Sequence, residues 1–581
     1  MRHLSVIFVC LTLSSTAWAL NPDDRVDNFE LLDQTGMSHE LYYLSDAKAV
    51  VLMSHGNGCP VVRDAIPQFK AVRAAYEKQG VAFLMINSNL GDSREAIAKD
   101  ALELGIDTPI LMDETQIIGE SLGLERTAEV FVINTSNWQL AYRGSPRELE
   151  NTLDSVLAGE MVKVAKTQAP GCIIDFPEQA RQDEHAQISY AEDIAPILIK
   201  NCVSCHRDGG IGPWAMSDYN MVRGFSPMMR EVIRTKRMPP WHADPKHGKF
   251  SNDRSLSTEE IQTIVHWIEA GSPRGEGPDV LAEYRPEWAE WALGEPDLII
   301  DVPPYDIPAT GVVEYQFPTV KNPLDHDVWV RAGEILPGSR ATLHHVITRF
   351  FIPDPNAKGD QRFGRRGGGG LAGYVPGATG RVYPEDTGTL LPAGATIRFQ
   401  MHYTPNGKAV TDRSRIGLYF HDEPPKYKLA GTALVNTKIL IPAHSKAHTE
   451  SKSQIMKRDV LLYSLLPHSH FRGIASNFVA YYPDGTEEIL LSVPAYDFNW
   501  QTSYLLAEPK VLPAGTKVVH STTWDNSAQN PANPDPNRDV PWGQQSWDEM
   551  LFGAMSFRYL DEVESDSAVG VAQFQGTAGS E

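Results

Sequence analysis

The sequence predicts a multidomain chain: an α/β domain, a short all-α domain, then two all-β sandwiches of the jelly-roll kind. Three observations carry this reading. Between residues 26 and 160, apolar runs such as Ala49-Val50-Val51-Leu52-Met53 alternate with stretches of helical periodicity. A Cys202-Val203-Ser204-Cys205-His206 motif lies between two helical patterns. From Leu298 onward the apolar segments are short, β-branched or aromatic, and divided by Pro and Gly turns. With 581 residues the chain has room for several domains. Its formal charge of −22 argues against a nucleic-acid partner, which would want a basic face.

The first residues bear on location. Met1-Arg2-His3 is a short basic start, Leu4 to Leu13 is mostly apolar, and Ala17-Trp18-Ala19 ends it in small–x–small form. Residues 1–19 are therefore predicted to be a cleavable signal peptide, and the protein periplasmic or secreted. No later apolar run is long enough to span a bilayer, so no membrane span is expected. Cys10 falls within the signal, which leaves Cys59, Cys172, Cys202 and Cys205. With no cysteine beyond residue 205, the long C-terminal part must be held by core packing and metal ligation.

In the first domain, 26–160, strands are predicted at Ala49–Met53 and Val81–Asn87 and helices at Arg63–Gln79 and Ser93–Leu104. Val130–Ile133 and Trp138–Tyr142 should form a closing hairpin. A strand that delivers Gly58-Cys59-Pro60 into a helix start places a thiol where the helix dipole lowers its pKa. This domain resembles the thioredoxin-like redoxin and peroxiredoxin group. It departs from it in having no Cys-x-x-Cys, and in carrying Ala128 where a cis-proline would precede the hairpin. Cys59 occupies the place of a peroxidatic cysteine, a possible redox thiol, with Arg63 or Arg143 to stabilise its thiolate. The alternative is a docking domain whose Cys59 is inert or bonded to Cys172. Residues 161–187 are polar and irregular, and read as a linker.

Cys202-x-x-Cys205-His206 is the attachment signal for a c-type haem, with two thioethers and His206 as proximal iron ligand. A helix at Tyr190–Lys200 leads in, and one at Thr258–Ala270, capped near Ser257, leads out. The segment 188–275 resembles the monohaem cytochromes c. That resemblance, with the loop held open by prolines in Met238-Pro239-Pro240-Trp241, makes Met238 the second axial ligand and His242 its alternative. Met216, Met228 and Met229 are read as packing residues.

The β region divides at about residue 430 into sandwiches spanning 297–425 and 430–575. On an extended strand His468 and His470, two residues apart, project from one face and could hold one metal ion together. They have company in His344-His345, His402 and Asp548-Glu549-Met550. Vicinal histidines on a regular strand face opposite ways, so His344-His345 requires a bulge. His444 and His448 read as solvated, while His421 and His520 are left unassigned. Gly367 to Gly370 is a flexible loop without the strand–helix context of a phosphate site.

The order His-His, Gln-Met-His-Tyr, His-x-His, Asp-Glu-Met resembles the copper type II monooxygenases, the family of the peptidylglycine α-hydroxylating and dopamine β-monooxygenases. The resemblance covers roughly 297–575. It implies two copper ions: His344, His345 and His402 hold the electron-transfer copper, and His468, His470 and Met550 hold the copper where O2 and substrate meet. Met550 is preferred to Met555 as the third ligand. It also implies that the two sites face each other across a cleft between the sandwiches. The donor set suits the metal, since imidazole serves both copper oxidation states and a thioether favours copper(I). The amidating enzymes keep an arginine two residues before His-x-His; here Leu466 stands there, which favours an apolar or neutral small-molecule substrate. The combined expectation is an exported monooxygenase with two copper ions and one covalent haem c, its electrons entering through the haem from a possible external donor. The alternative is an electron-transfer or copper-handling protein that does not hydroxylate.

Overall fold

The computed structural model describes residues 20–352, 370–377 and 380–562, except for the side chain of Gln182. The predicted signal peptide and most of the Gly367–Gly370 loop lie outside the described residues. The chain forms two compact units. One contains Met1–Ile194, Ser226–Thr235 and Ser257–Glu276; the other contains Ala195–Phe225, Lys236–Leu256 and Gly277–Glu581. The segment 188–275 is therefore shared between them, with the Cys-x-x-Cys-His turn in the second.

The first unit is built on a five-stranded sheet, in the order Ile110–Met112, Val81–Asn87, Ala49–Ser54, Val130–Asn134, Gln139–Gly144. The first three strands run parallel and the last two close the sheet antiparallel. The central strand is wholly buried along Ala49–Ser54, as an uninterrupted apolar run requires when both sheet faces are covered. Helices Pro60–Tyr76 and Leu149–Ala158 cover one face through Val62, Ile66, Phe69, Leu149 and Leu153. The other face packs on Phe29, Ile117, Leu122 and Val265 of the helix Thr258–Glu269. That last helix starts with a complete capping box between Ser257 and Glu260.

In the second unit the β region makes two sandwiches. In the first, a sheet ordered Thr319–Lys321, Thr396–Tyr403, Leu343–Phe351, Gly373–Tyr374 shares a core with the sheet containing Val328–Leu336 and Arg415–Phe420. In the second, the sheet Ala430–Asn436, Leu551–Tyr559, Val460–His468, Tyr504–Leu512 shares one with His448–Ile455, Lys517–Trp524, Gly473–Tyr481, Glu487–Val493. Burial alternates along Lys517–Trp524, because each strand turns one face to a core and the other outward. Met555 sits in the core of the second sandwich. The segment after Met238 is tied to that sandwich by Trp241 and Phe250, both against Tyr504.

Among the described residues, no helix is long and apolar enough to cross a membrane.

Candidate metal centre and thiol pair

Two strands of the first sandwich deliver three histidines. His345 and His402 are register partners on adjacent strands and so share a face. The register shifts between Leu343 and His345, and this irregularity lets the vicinal His344 join them. Ligand nitrogens of His344, His345 and His402 lie within 4.8 Å of one another. Their rings meet edge to face, 4.9 Å apart for His345–His402 and 5.0 Å for His344–His402.

The second pair arrives differently from the strand-period expectation. His468 ends its strand and His470 lies in the turn beyond it, yet their rings are 5.2 Å apart. The antiparallel register ends where His468 faces Phe552, and Met550 immediately precedes that partner strand, Leu551–Tyr559. The expectation of two sites across a cleft is corrected by geometry: the His345 and His468 rings lie only 6.4 Å apart. Phe498 fills the space beside them, stacked on His344 at 4.7 Å and against His470 and Phe471.

The hydrogen bonds fix which nitrogens are free. His468 Nδ1 donates to Gln501 Oε1 at 2.6 Å, and His470 Nδ1 faces the Asp548 carbonyl at 3.3 Å. His344 Nε2, His402 Nδ1 and His470 Nε2 are buried and have no hydrogen-bond partner. Burial holds all five imidazoles below their ordinary pKa, His344 and His468 at about 4 and His402 at about 3, His345 and His470 well below. At neutral pH they are lone-pair donors, the form a metal needs.

A consequence for stability follows. The unfolded chain takes up protons near pH 6.5 while the native centre resists them down to about 4, so protons favour unfolding across that interval. The metal-free protein should lose stability as pH falls from 6.5 toward 4. Thermal unfolding at a series of pH values checks this, and a variant lacking His344, His402 and His468 should show a shallower fall.

Beneath the histidines lies a carboxylate that sequence reasoning quoted but gave no role. Glu549 is fully buried and accepts from the backbone N–H of Arg472 (2.7 Å) and His470 (2.9 Å), from Ser469 Oγ (2.8 Å) and from Trp524 Nε1 (3.0 Å). Desolvation pushes it up to about 7 against those donors and the nearby Arg472 charge. Arg472, also fully buried, donates to Asn526 Oδ1 and the Trp547 carbonyl. This network clamps the His468–Arg472 turn. His520 is explained as structure, since it is buried and stacked on Phe478 at 4.4 Å.

At the Cys-x-x-Cys-His turn, the N–H groups of Cys205 and His206 both bond to the Cys202 carbonyl, which curls the motif into one helical turn. His206 Nδ1 donates to the Trp214 carbonyl at 3.1 Å, leaving Nε2 for an iron. A Cβ on Gly212 would come within 2.8 Å of His206 Nδ1, so only glycine admits that loop. These residues fit a covalent haem. Met238 is half-buried, Met216 and Met229 are buried, and Met228, read as packing, is instead 51% exposed.

In the first unit Cys59 caps the helix Pro60–Tyr76, with its Sγ 2.8 Å from that of Cys172 and 3.2 Å from Thr127 Oγ1; both thiols are free. Cys172 is held there by a strap. Thr127 N–H bonds to the Cys172 carbonyl, Thr127 Oγ1 accepts from Cys172 N–H, and Ile174 N–H bonds to the Glu125 carbonyl. A Cβ on Gly171 would come 1.8 Å from the Thr127 carbonyl oxygen, so this approach needs glycine. Burial alone would raise the Cys59 thiol, but hydrogen bonds from Cys172, Thr127 and the Val62 N–H bring it down to about 7. The expected role of Arg143 is corrected: it is spent on Glu129 at 2.7 Å and on the Gly123 carbonyl. Arg63 is exposed.

Because the thiolate is the nucleophile, alkylation of Cys59 should reach half its maximal rate near pH 7. Cys172→Ser should slow it at that pH and abolish any reversible disulfide, as read by thiol counting under oxidant. Equal alkylation rates in the wild type and Cys172→Ser would refute the coupling.

Residues 22–144 match the family model described as the AhpC/TSA family. An uncharacterised conserved protein from Geobacillus kaustophilus is 26% identical, covering 27% of this chain and 93% of its own, with a TM-score of 0.25. Peroxidoxin BcpB from Mycobacterium tuberculosis is 23% identical, covering 24% and 95%, with a TM-score of 0.21. A thioredoxin-family thiol:disulfide interchange protein from Chlorobium tepidum is 18% identical, covering 24% and 97%, also at 0.21. Among curated proteins there is no match. The chain is multidomain, with an N-terminal thioredoxin-like α/β domain whose residues 22–144 match the AhpC/TSA family model, and a large all-β C-terminal region.

Proposed function

We propose that the β region is a dicopper monooxygenase centre that hydroxylates a C–H bond of an apolar or neutral small molecule with O2. The observation that carries this is the convergence of five neutral imidazoles, three with a buried nitrogen lacking any hydrogen-bond partner. An isolated buried histidine is normally satisfied; three open nitrogens in one nest call for a cation. Bound copper would supply oxygen binding and one-electron chemistry. His344, His345 and His402 would hold one ion, and His468, His470 and Met550 the other. Gln501 and the Asp548 carbonyl fix the tautomers of the second pair, and Phe498 keeps water from the space between the rings. Leu466, two residues before His468 on the same strand, lends that face an apolar side chain in place of a carboxylate-binding one.

In this reading Cys202, Cys205 and His206 would hold a haem c, with Met238 or His242 as a further ligand, and the group would supply one-electron transfer from an external donor. The protein works in the periplasm or outside the cell. The test is turnover of a panel of apolar substrates under labelled oxygen with a chemical reductant. One labelled oxygen atom in product supports hydroxylation, whereas oxygen consumed without label in any product favours the electron-transfer or copper-handling alternative.

A second reading concerns the first unit, and the Cys59–Cys172 separation favours it. The two thiols would act as a reversible dithiol pair, each cycle releasing two electrons and two protons to an oxidant such as a peroxide or a disulfide.

A further inference from the structure

The first unit holds another cluster of metal-type side chains, none of them a member of the motifs above. Glu120 lies on the helix Ile117–Leu122, Glu178 on Pro177–Ala180, His185 on Gln182–His185 and His266 on Thr258–Glu269. Donor atoms of Glu178, His185 and His266 lie within 4.8 Å of one another, and His266 Nε2 is 2.7 Å from Glu120 Oε2. His266 is buried at 4% exposed and the His185 side chain is 11% exposed, and their rings stack at 4.0 Å with planes 9° apart.

A structural role would be complete with the His266–Glu120 pair. What exceeds it is a second buried imidazole whose Nε2 makes no hydrogen bond and lies 3.5 Å from Glu178 Oε2, together with the unpartnered Oε1 of Glu120. A buried polar group left unsatisfied is destabilising, and one cation would serve both. Desolvation and the neighbouring His266 keep His185 below its ordinary pKa, hence neutral and able to donate a lone pair.

We propose that Glu120, Glu178, His185 and His266 form a site for a divalent transition-metal ion of the zinc class. Two imidazoles exclude the hard all-oxygen cations, and the lack of thiolate or thioether argues against copper(I). A mixed nitrogen and carboxylate set of four fits tetrahedral zinc. Zinc bonds near 2.0–2.2 Å set donors roughly 3.4 Å apart: His185 Nε2 and Glu178 Oε2 already stand at 3.5 Å, the His266–Glu120 pair at 2.7 Å would part slightly, and the two rings would turn out of their stack. The ion would clasp the segment that runs on from Cys172. That segment is already seated by the Asp175 carbonyl accepting from Gln116 Nε2, and by Phe176 against Gly119. The site is independent of the copper reading.

The test uses the full chain with His345, His402 and His468 replaced by alanine, so that the other histidine nest does not compete. In that parent, zinc titration followed by metal analysis should give one equivalent more than in His185→Gln or Glu178→Gln. Zinc should also raise the parent's melting temperature and leave both variants unmoved. Glu178 is only half-buried, so its amide variant keeps the fold even where His185→Gln does not. Equal zinc content in parent and Glu178→Gln, with no difference in melting shift, would overturn the proposal.

Discussion

Replacing His345 with alanine is expected to weaken copper binding by more than about 100-fold and to remove oxygen uptake. Changing the outer partners of a metal ligand typically costs 10–100-fold in affinity or activity, and losing the ligand itself costs more. His345 is the most consequential of the five because it is 2% exposed, pairs across the strands with His402 and stands nearest to His468. Its loss therefore affects both halves of the nest. Copper per chain after dialysis and oxygen consumption with a chemical reductant measure the effect. Far-ultraviolet dichroism should be unchanged, since the ring meets other rings of the nest, Tyr315, His344, His402 and His468, and no backbone hydrogen bond is lost.

Replacing Glu549 with alanine should produce the largest loss of stability, about 3–5 kcal/mol, the range for removing one partner of a buried charge network. Ser469 Oγ and the backbone N–H groups of His470 and Arg472 lose their acceptor at once, Trp524 Nε1 keeps only Ser469 Oγ, and Arg472 is left as a buried charge. Glu549→Gln keeps an acceptor oxygen and should lose less. Denaturant unfolding of the full chain resolves the two. If alanine and glutamine variants shift the midpoint equally and slightly, the clamp is not what holds the turn.

What could be read beforehand follows the range of the forces involved. The run Ala49–Met53 announces a strand covered on both faces, and the residues on either side of Cys59 announce a strand-to-helix turn, because both signals are local. The bulge at His344-His345 could be anticipated because two adjacent side chains cannot otherwise share a face. The mutual approach of His345 and His468 could not, since it depends on how two sandwiches from different parts of the chain meet. No local signal sets Arg472 apart, and only the fold supplies the Asn526 and Trp547 oxygens that make it a buried clamp.

The polar stretch around Cys172 illustrates the same limit. Composition read it as a linker, yet Gly171 lets it lie against Thr127 and sets a second thiol beside the first. Arg143 shows the converse error. Its charge suggests a partner for a thiolate, but Glu129, fourteen residues away and just before the neighbouring strand Val130–Asn134, takes it instead. Glu178 and His185 likewise meet His266 only through the packing of the helix Thr258–Glu269 on the first unit.

The central claim is that two copper ions share this nest and that the His468/His470 ion is the one that handles oxygen. Copper stoichiometry measured together with oxygen uptake, for the wild type and for His468→Ala, tests it most directly. The account predicts two copper ions per chain in the wild type, and one ion with no uptake in the variant. Two ions retained by His468→Ala, or uptake that persists with one, would contradict it.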